Sequence, residues 1–124
     1  MIHLDTHVLV RLYAGQVSEL GRTARRAIEE QELVVSPAAI LELELLHEIG
    51  RLRATASSVI SALSEEIGLR VSDLPFRTVV HHALKEAWSR DPFDRLVVAD
   101  AKANGAALIT KDEKIHQNYP RAVW

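Results

Sequence analysis

Short apolar runs separated by helical stretches set the strongest limit on how this chain folds. Ile2-His3-Leu4, Leu33-Val34-Val35 and Ala107-Leu108-Ile109 are too short for helices and suit strands. Leu69-Arg70-Val71 reads as a further strand, and the tail Tyr119-Pro120-Arg121-Ala122-Val123-Trp124 supplies a short last one. Strands that alternate with helices pair in parallel, because the helix carries the chain back across the sheet. The expected fold is therefore α/β, a three-layer α/β/α sandwich around a mainly parallel sheet.

Caps place the helices. Asp5-Thr6 opens the first, which Gly15 ends, and a second is expected from Ser18 to Glu30. Ser36-Pro37 opens a third that runs to about Gly50, since Pro at the first helical position gives up an N–H that had no partner. In it Ala38, Leu41, Leu45, Leu46 and Ile49 share one arc, expected to face the core, with Glu42 inside that arc. Ala54 to Ile67 forms another helix, closed by Gly68. Ser72-Asp73-Leu74-Pro75 opens one that reaches Leu84, and Asp91-Pro92 opens the last, which runs to Ala103 and is stopped by Asn104-Gly105.

Residues 1–124 contain no repeat, linker or low-complexity stretch and fit a single domain. Hydrophobic residues make up 48% but aromatics only 5%, so the core is aliphatic. Cysteine is absent, which excludes disulfides, thiolate metal sites and cysteine nucleophiles and suits a reducing cytoplasm. No apolar run approaches the length of a membrane span. A net charge of −2 argues against a broad electrostatic coat on nucleic acid, though not against a local basic groove.

The chemistry lies in carboxylates. Asp94 shares an i, i+3, i+4, i+7 stripe with Val97, Val98 and Ala101, the face its helix turns inward. An acid there is costly unless paired, protonated or bound to a metal. Glu42 poses the same problem, and Asp5 and Asp112 follow strands, whose carboxyl ends are where open parallel sheets bind ligands. All four can face one crevice. With no Cys and no convincing His partner, such a cluster makes an oxygen-only site suited to Mg²⁺ or Mn²⁺, which can activate water for attack on a phosphodiester.

Plainer roles compete for each residue. Asp5 fits an N-cap, Glu42 an exposed helix position and Asp112 a turn. Capping suffices for Asp91 and Ser36, and Asp100 fits a flank residue paired with a lysine or arginine. Thr6 and Thr110 are suited to capping or to hydrogen-bonding a ligating carboxylate. His81 and His82 point about 100° apart on a helix, which disfavours a joint site. His3 reads as a packed residue, and His116 lies near the crevice without a role. Arg22, Arg25 and Arg26 form a dense basic cluster that reads as a solvated helix face.

Four blocks carry a resemblance: Leu4-Asp5-Thr6-His7, then Leu33-Val34-Val35-Ser36-Pro37 leading to Leu41-Glu42, then Arg90-Asp91-Pro92-Phe93-Asp94-Arg95-Leu96, and Leu108-Ile109-Thr110-Lys111-Asp112. In this order and spacing the chain resembles PIN domains, specifically the VapC-type toxins of toxin–antitoxin pairs. The resemblance implies an acidic quartet at Asp5, Glu42, Asp94 and Asp112, supported by Thr6 and Thr110, that holds Mg²⁺ or Mn²⁺. It implies a metal-dependent endoribonuclease, with a homodimer inside a larger complex and a cognate antitoxin that wraps the toxin and places a basic side chain at the acidic cleft. Related sequences often carry His where this chain has Ser89, so no role passes from that histidine, and Trp88 to Arg90 is a place where the substrate groove can differ. Arg95, Lys111 and Lys114 are the expected contacts to the RNA backbone.

Two rivals stand beside this reading. A non-catalytic PIN-like module would bind RNA or protein without cutting, at the cost of burying acids it does not need. A phosphotransfer or phosphatase domain using Asp5 would want a second aspartate at position seven, where this chain has His7.

Overall fold

A computed structural model describes all 124 residues. Its strands are β1 (Ile2–Leu4), β2 (Leu33–Val35), β3 (Arg70–Val71), β4 (Ala107–Ile109) and β5 (Ala122–Val123). They form one sheet in the order β3-β2-β1-β4-β5, every neighbouring pair parallel. Central β1 pairs Ile2 with Leu33 on one side and Leu4 with Ile109 on the other. Seven α-helices flank the sheet: α1 (Thr6–Tyr13), α2 (Arg22–Glu30), α3 (Pro37–Glu48), α4 (Ala56–Ile67), α5 (Phe76–Ala83), α6 (Pro92–Ala103) and α7 (Glu113–Asn118). This is the expected α/β/α architecture.

The caps explain the boundaries. The side chains of Asp5, Ser36, Thr55, Asp91 and Asp112 each accept a backbone N–H from the first turn of the helix that follows. Gly68, in the left-handed region at φ 69°, closes α4. The core is aliphatic, with Leu4, Val8, Leu9, Leu43, Val98 and Leu108 each fully buried. No helix is long and apolar enough to cross a membrane.

Three elements differ from the sequence reading. The stretch expected as one helix from Ser18 to Glu30 is a 3-10 turn, Val17–Glu19, followed by an extended Leu20 and then α2. The break falls at Gly21, where a Cβ would lie 2.6 Å from the carbonyl carbon of Trp124, so the chain end packs against bare backbone. Helix α3 is rotated from the expected phase. Ala39 and Leu43 are its buried residues, while Leu41, Leu45 and Ile49 are exposed at 57%, 39% and 65%. The helix α7 was not expected at all.

Asp100 is also corrected. It is 1% exposed and has no basic partner; its Oδ1 accepts from Ser72 Oγ at 2.7 Å and Asn104 Nδ2 at 3.1 Å. Burial pushes its pKa up, against the pull of the Ser72 and Ser36 hydroxyls. His3 is packed as expected, with Nε2 2.9 Å from Asn104 Nδ2.

Candidate active site

The carboxyl ends of β1 and β4 lie side by side, because Leu4 and Ile109 are in register. Their continuations, Asp5 and Thr110, therefore meet: Thr110 Oγ1 donates to Asp5 Oδ2 at 2.7 Å. The backbone N–H of Thr6 donates to Asp5 Oδ1 at 2.8 Å. Asp5 thus caps α1 while its second oxygen is held by Thr110, just past the neighbouring strand. Thr6 turns its hydroxyl the other way and donates to Glu42 Oε1, which ties α3 to the end of β1. Thr110 Oγ1 also accepts the N–H of Asp112 at 3.1 Å, setting the turn into α7. Both threonines hold carboxylates in place.

Asp112 accepts the N–H groups of Lys114 and Ile115 through Oδ1 alone. Its other oxygen carries none of the capping bonds. Asp94, on the first turn of α6, makes no hydrogen bond or ion pair through its carboxylate. Asp91 is the cap of that helix, its Oδ1 2.8 Å from the N–H of Phe93, as the sequence reading assigns it.

Asp5, Glu42, Asp94 and Asp112 line a single cleft of about 470 Å³. Burial and the neighbouring charges hold protons on two of them, Asp94 and Glu42. Burial first, and then the charges of Asp91, Asp112, Asp5 and Glu42, push Asp94 up from 3.8 to about 7. Burial also raises Glu42, although the Thr6 hydroxyl pulls it down. No three of the chain's Asp, Glu and His side chains converge closely enough to enclose an ion by themselves. The donor set is all oxygen and short of positive charge. That fits a hard divalent cation such as Mg²⁺, which keeps several of its waters and needs only one or two direct carboxylates.

A protein-family model described as PIN domain matches residues 2–120. The chain belongs to the PIN domain family. A curated relative, Ribonuclease VapC22 of Mycobacterium tuberculosis, is 32% identical over 97% of this chain and 94% of its own length. Solved structures share the PIN fold at lower identity. VapBC2 from Rickettsia felis bound to a promoter DNA fragment aligns with a TM-score of 0.70 and 15% identity, over 99% of this chain and 96% of that one. A toxin–antitoxin complex from Klebsiella pneumoniae gives 0.68 and 19%, over 100% and 97%. VapBC-1 from nontypeable Haemophilus influenzae gives 0.60 and 22%, over 100% and 96%.

Other residues of this PIN domain sit differently from the sequence reading. Arg95, expected to face RNA, is consumed within the protein: its guanidinium donates to the carbonyls of Ala83 and Leu84 at the end of α5 and to Ser89. Ser89 is buried, and its hydroxyl accepts the N–H of Asp91 at 3.0 Å, while Trp88 packs on the core and donates to Glu86. Neither residue lines the cleft, and Ser89 instead braces the start of α6.

The sequence reading missed His7, Arg11 and Glu19, all of which line the cleft. His7 accepts the N–H of Lys111 at Nε2, 2.8 Å away, which leaves its neutral-form proton on Nδ1, 3.6 Å from Asp5 Oδ2. Burial lowers its pKa even with the Asp5 carboxylate beside it. The available signal was its position, two residues after Asp5 and one turn before Arg11.

Proposed function

We propose that this PIN domain is a metal-dependent endoribonuclease and the toxin of a type II toxin–antitoxin pair. The observation that carries the reading is that four carboxylates from four separate segments line one cleft at the carboxyl edge of the sheet. The relative at 32% identity bears the name ribonuclease, and the structural relatives are toxin–antitoxin complexes. Asp5, Glu42, Asp94 and Asp112 are the groups to hold Mg²⁺ or Mn²⁺, directly or through water. Such an ion would lower the pKa of a bound water and would supply positive charge against the charge that builds on the phosphodiester.

The protein's own contribution is positioning. Thr6 and Thr110 fix Asp5 and Glu42 before substrate arrives, so no reorganisation is needed at the moment of reaction. Asp112, anchored through one oxygen, is placed to orient a water with the other. Asp94 is the acid with the greatest need of a cation, since it has no donor of its own.

The cognate antitoxin and a second copy of the chain are the proposed partners. Support comes from apolar side chains left bare: Leu41, Leu45 and Ile49 along α3, with Phe76 at 70% and Leu84 at 69% exposure.

The test is cleavage of total cellular RNA by purified protein with Mg²⁺, with Mn²⁺ and with EDTA, beside Asp94→Asn. Metal-dependent products are expected, reduced by at least about 100-fold in the variant. Wild-type cleavage that persists in EDTA or in Asp94→Asn would sink the metal assignment. Absence of cleavage together with no Mg²⁺ uptake by calorimetry would favour the non-catalytic module.

A further inference from the structure

Arg11 is the only lysine or arginine among the residues that line the acidic cleft. A guanidinium carries five N–H donors. Here one hydrogen bond is made within the protein, from Nη1 to the carbonyl of His7 at 3.3 Å. Its Nε is buried and donates to nothing. Glu19 Oε2 stands 3.5 Å from that Nε, close enough for attraction but not for a formed hydrogen bond.

Two further features hold the group where it is. The Trp124 ring lies against it, with the guanidinium carbon 5.8 Å from the ring centroid. Trp124 is itself seated by Gly21 and by β5, whose Val123 carbonyl accepts the N–H of Thr110. Lys111 Nζ lies 5.9 Å from the same ring, so a second cation borders the same rim. The resulting fork is rigid, charged and short of acceptors. Its present anion is a half-exposed side chain on the 3-10 turn.

Resting on the ribonuclease reading above, we infer that Arg11 is a positioning residue that takes a backbone phosphate of the RNA strand at the rim of the cleft, and that Glu19 occupies its guanidinium until RNA displaces it. The planar fork matches two phosphate oxygens, which a lysine ammonium does not. A carboxylate already parked at the donor marks the kind of group the site accepts. Arg11 also offsets the repulsion that the acidic cleft exerts on a polyanion, from among the cleft's own lining.

The experiment measures binding of a short randomised single-stranded RNA by fluorescence anisotropy across a salt series, in Mg²⁺ and in the Asp94→Asn background so that the strand survives. Arg11→Gln is expected to weaken binding about tenfold at low salt and to flatten the salt slope by about 0.7, the value for one lost phosphate contact on a single strand. Arg11→Lys keeps most of the slope while losing part of the affinity. Glu19→Gln tightens binding roughly two- to fivefold, as expected for removal of a surface ion pair, and that gain disappears in the double variant. A purely structural Arg11 would leave the salt slope unchanged and give Glu19→Gln no gain.

Cleavage of total RNA by the otherwise wild-type protein keeps the two failures apart. If wild type cuts RNA while Arg11→Gln binds with unaltered affinity and slope, the phosphate role is wrong and the nuclease reading stands. If wild type neither cuts nor binds RNA, the nuclease reading fails and takes this inference with it. Thermal melts report folding, and if Arg11→Gln does not fold, Arg11→Lys and Glu19→Gln carry the test.

Discussion

Burial moves the protons of Asp94 and His3 in opposite directions, and the two effects overlap on the pH axis. Folding raises Asp94 from 3.8 to about 7, so between those values the folded protein binds more protons than the unfolded chain. Metal-free stability from this group is therefore full below about pH 4 and is lost as pH rises to about 7. Folding lowers His3 from 6.5 to about 4, mainly through burial, so its contribution is full above 6.5 and is lost as pH falls to about 4. Between about pH 4 and 6.5 the slopes oppose each other. Chemical denaturation across that range should show a shallow dependence in the metal-free wild type. Asp94→Asn should unmask the acid loss due to His3, and His3→Gln the opposite slope; parallel profiles in all three proteins would refute the pairing. Glu42 and Asp100, both raised by burial, act in the same direction as Asp94, and His7 in the same direction as His3.

Single elements depend on contacts far away along the chain. Gly21→Ala would drive a Cβ into the Trp124 backbone, at a cost of about 1–3 kcal/mol. Thermal melts should show that loss, together with a changed indole emission as β5 shifts. Helix α6 is braced by Lys102, which pairs with Glu86, an acid only 2% exposed in the link between α5 and α6. Lys102→Ala leaves that acid unpaired except for Trp88, so a loss of about 3 kcal/mol is expected. A loss below about 1 kcal/mol in urea denaturation would show that water reaches the pair. These contacts also mark what the sequence reading could resolve. Strand and helix starts were legible at Asp5, Ser36-Pro37 and Asp91-Pro92, because caps act within a few residues. The break at Gly21 was not, since its cause lies at Trp124. The phase of α3 was ambiguous because Ala38 to Leu46 is apolar on nearly every side, so periodicity alone could not separate Leu43 from Leu41. Arg95 was misread because carbonyls at the end of α5 compete for a guanidinium as well as phosphate does.

The cleft gathers residues from β1 with α1, from α3, from α6 and from the β4–α7 turn, so an ion held there would fasten four parts of the molecule together. Mg²⁺ should then raise the melting temperature of the whole domain. One hundredfold excess over the dissociation constant corresponds to about 2.7 kcal/mol. The gain should be larger near pH 8 than near pH 5, because protonated Asp94 is a poor ligand; an equal shift at both would exclude that acid. Asp5 and Asp112 were legible as acids at strand ends, and Asp94 from its stripe together with the family resemblance, but the arc that singled out Glu42 is exposed, and the residues around the four acids were not legible. His7 and Arg11 carry no pattern of their own and matter only through where β4 and β5 bring Lys111 and Trp124. Sheet order has one further result. Asp5 directly follows the first strand made, but the hydroxyl that fixes it is on Thr110, and Asp112 comes later still. The ribosome releases those residues well after Asp5, while earlier parts are free to collapse. A chain that has not yet delivered Thr110 and Asp112 therefore has an unfinished cleft, with Asp5 unfixed and one of the four acids missing.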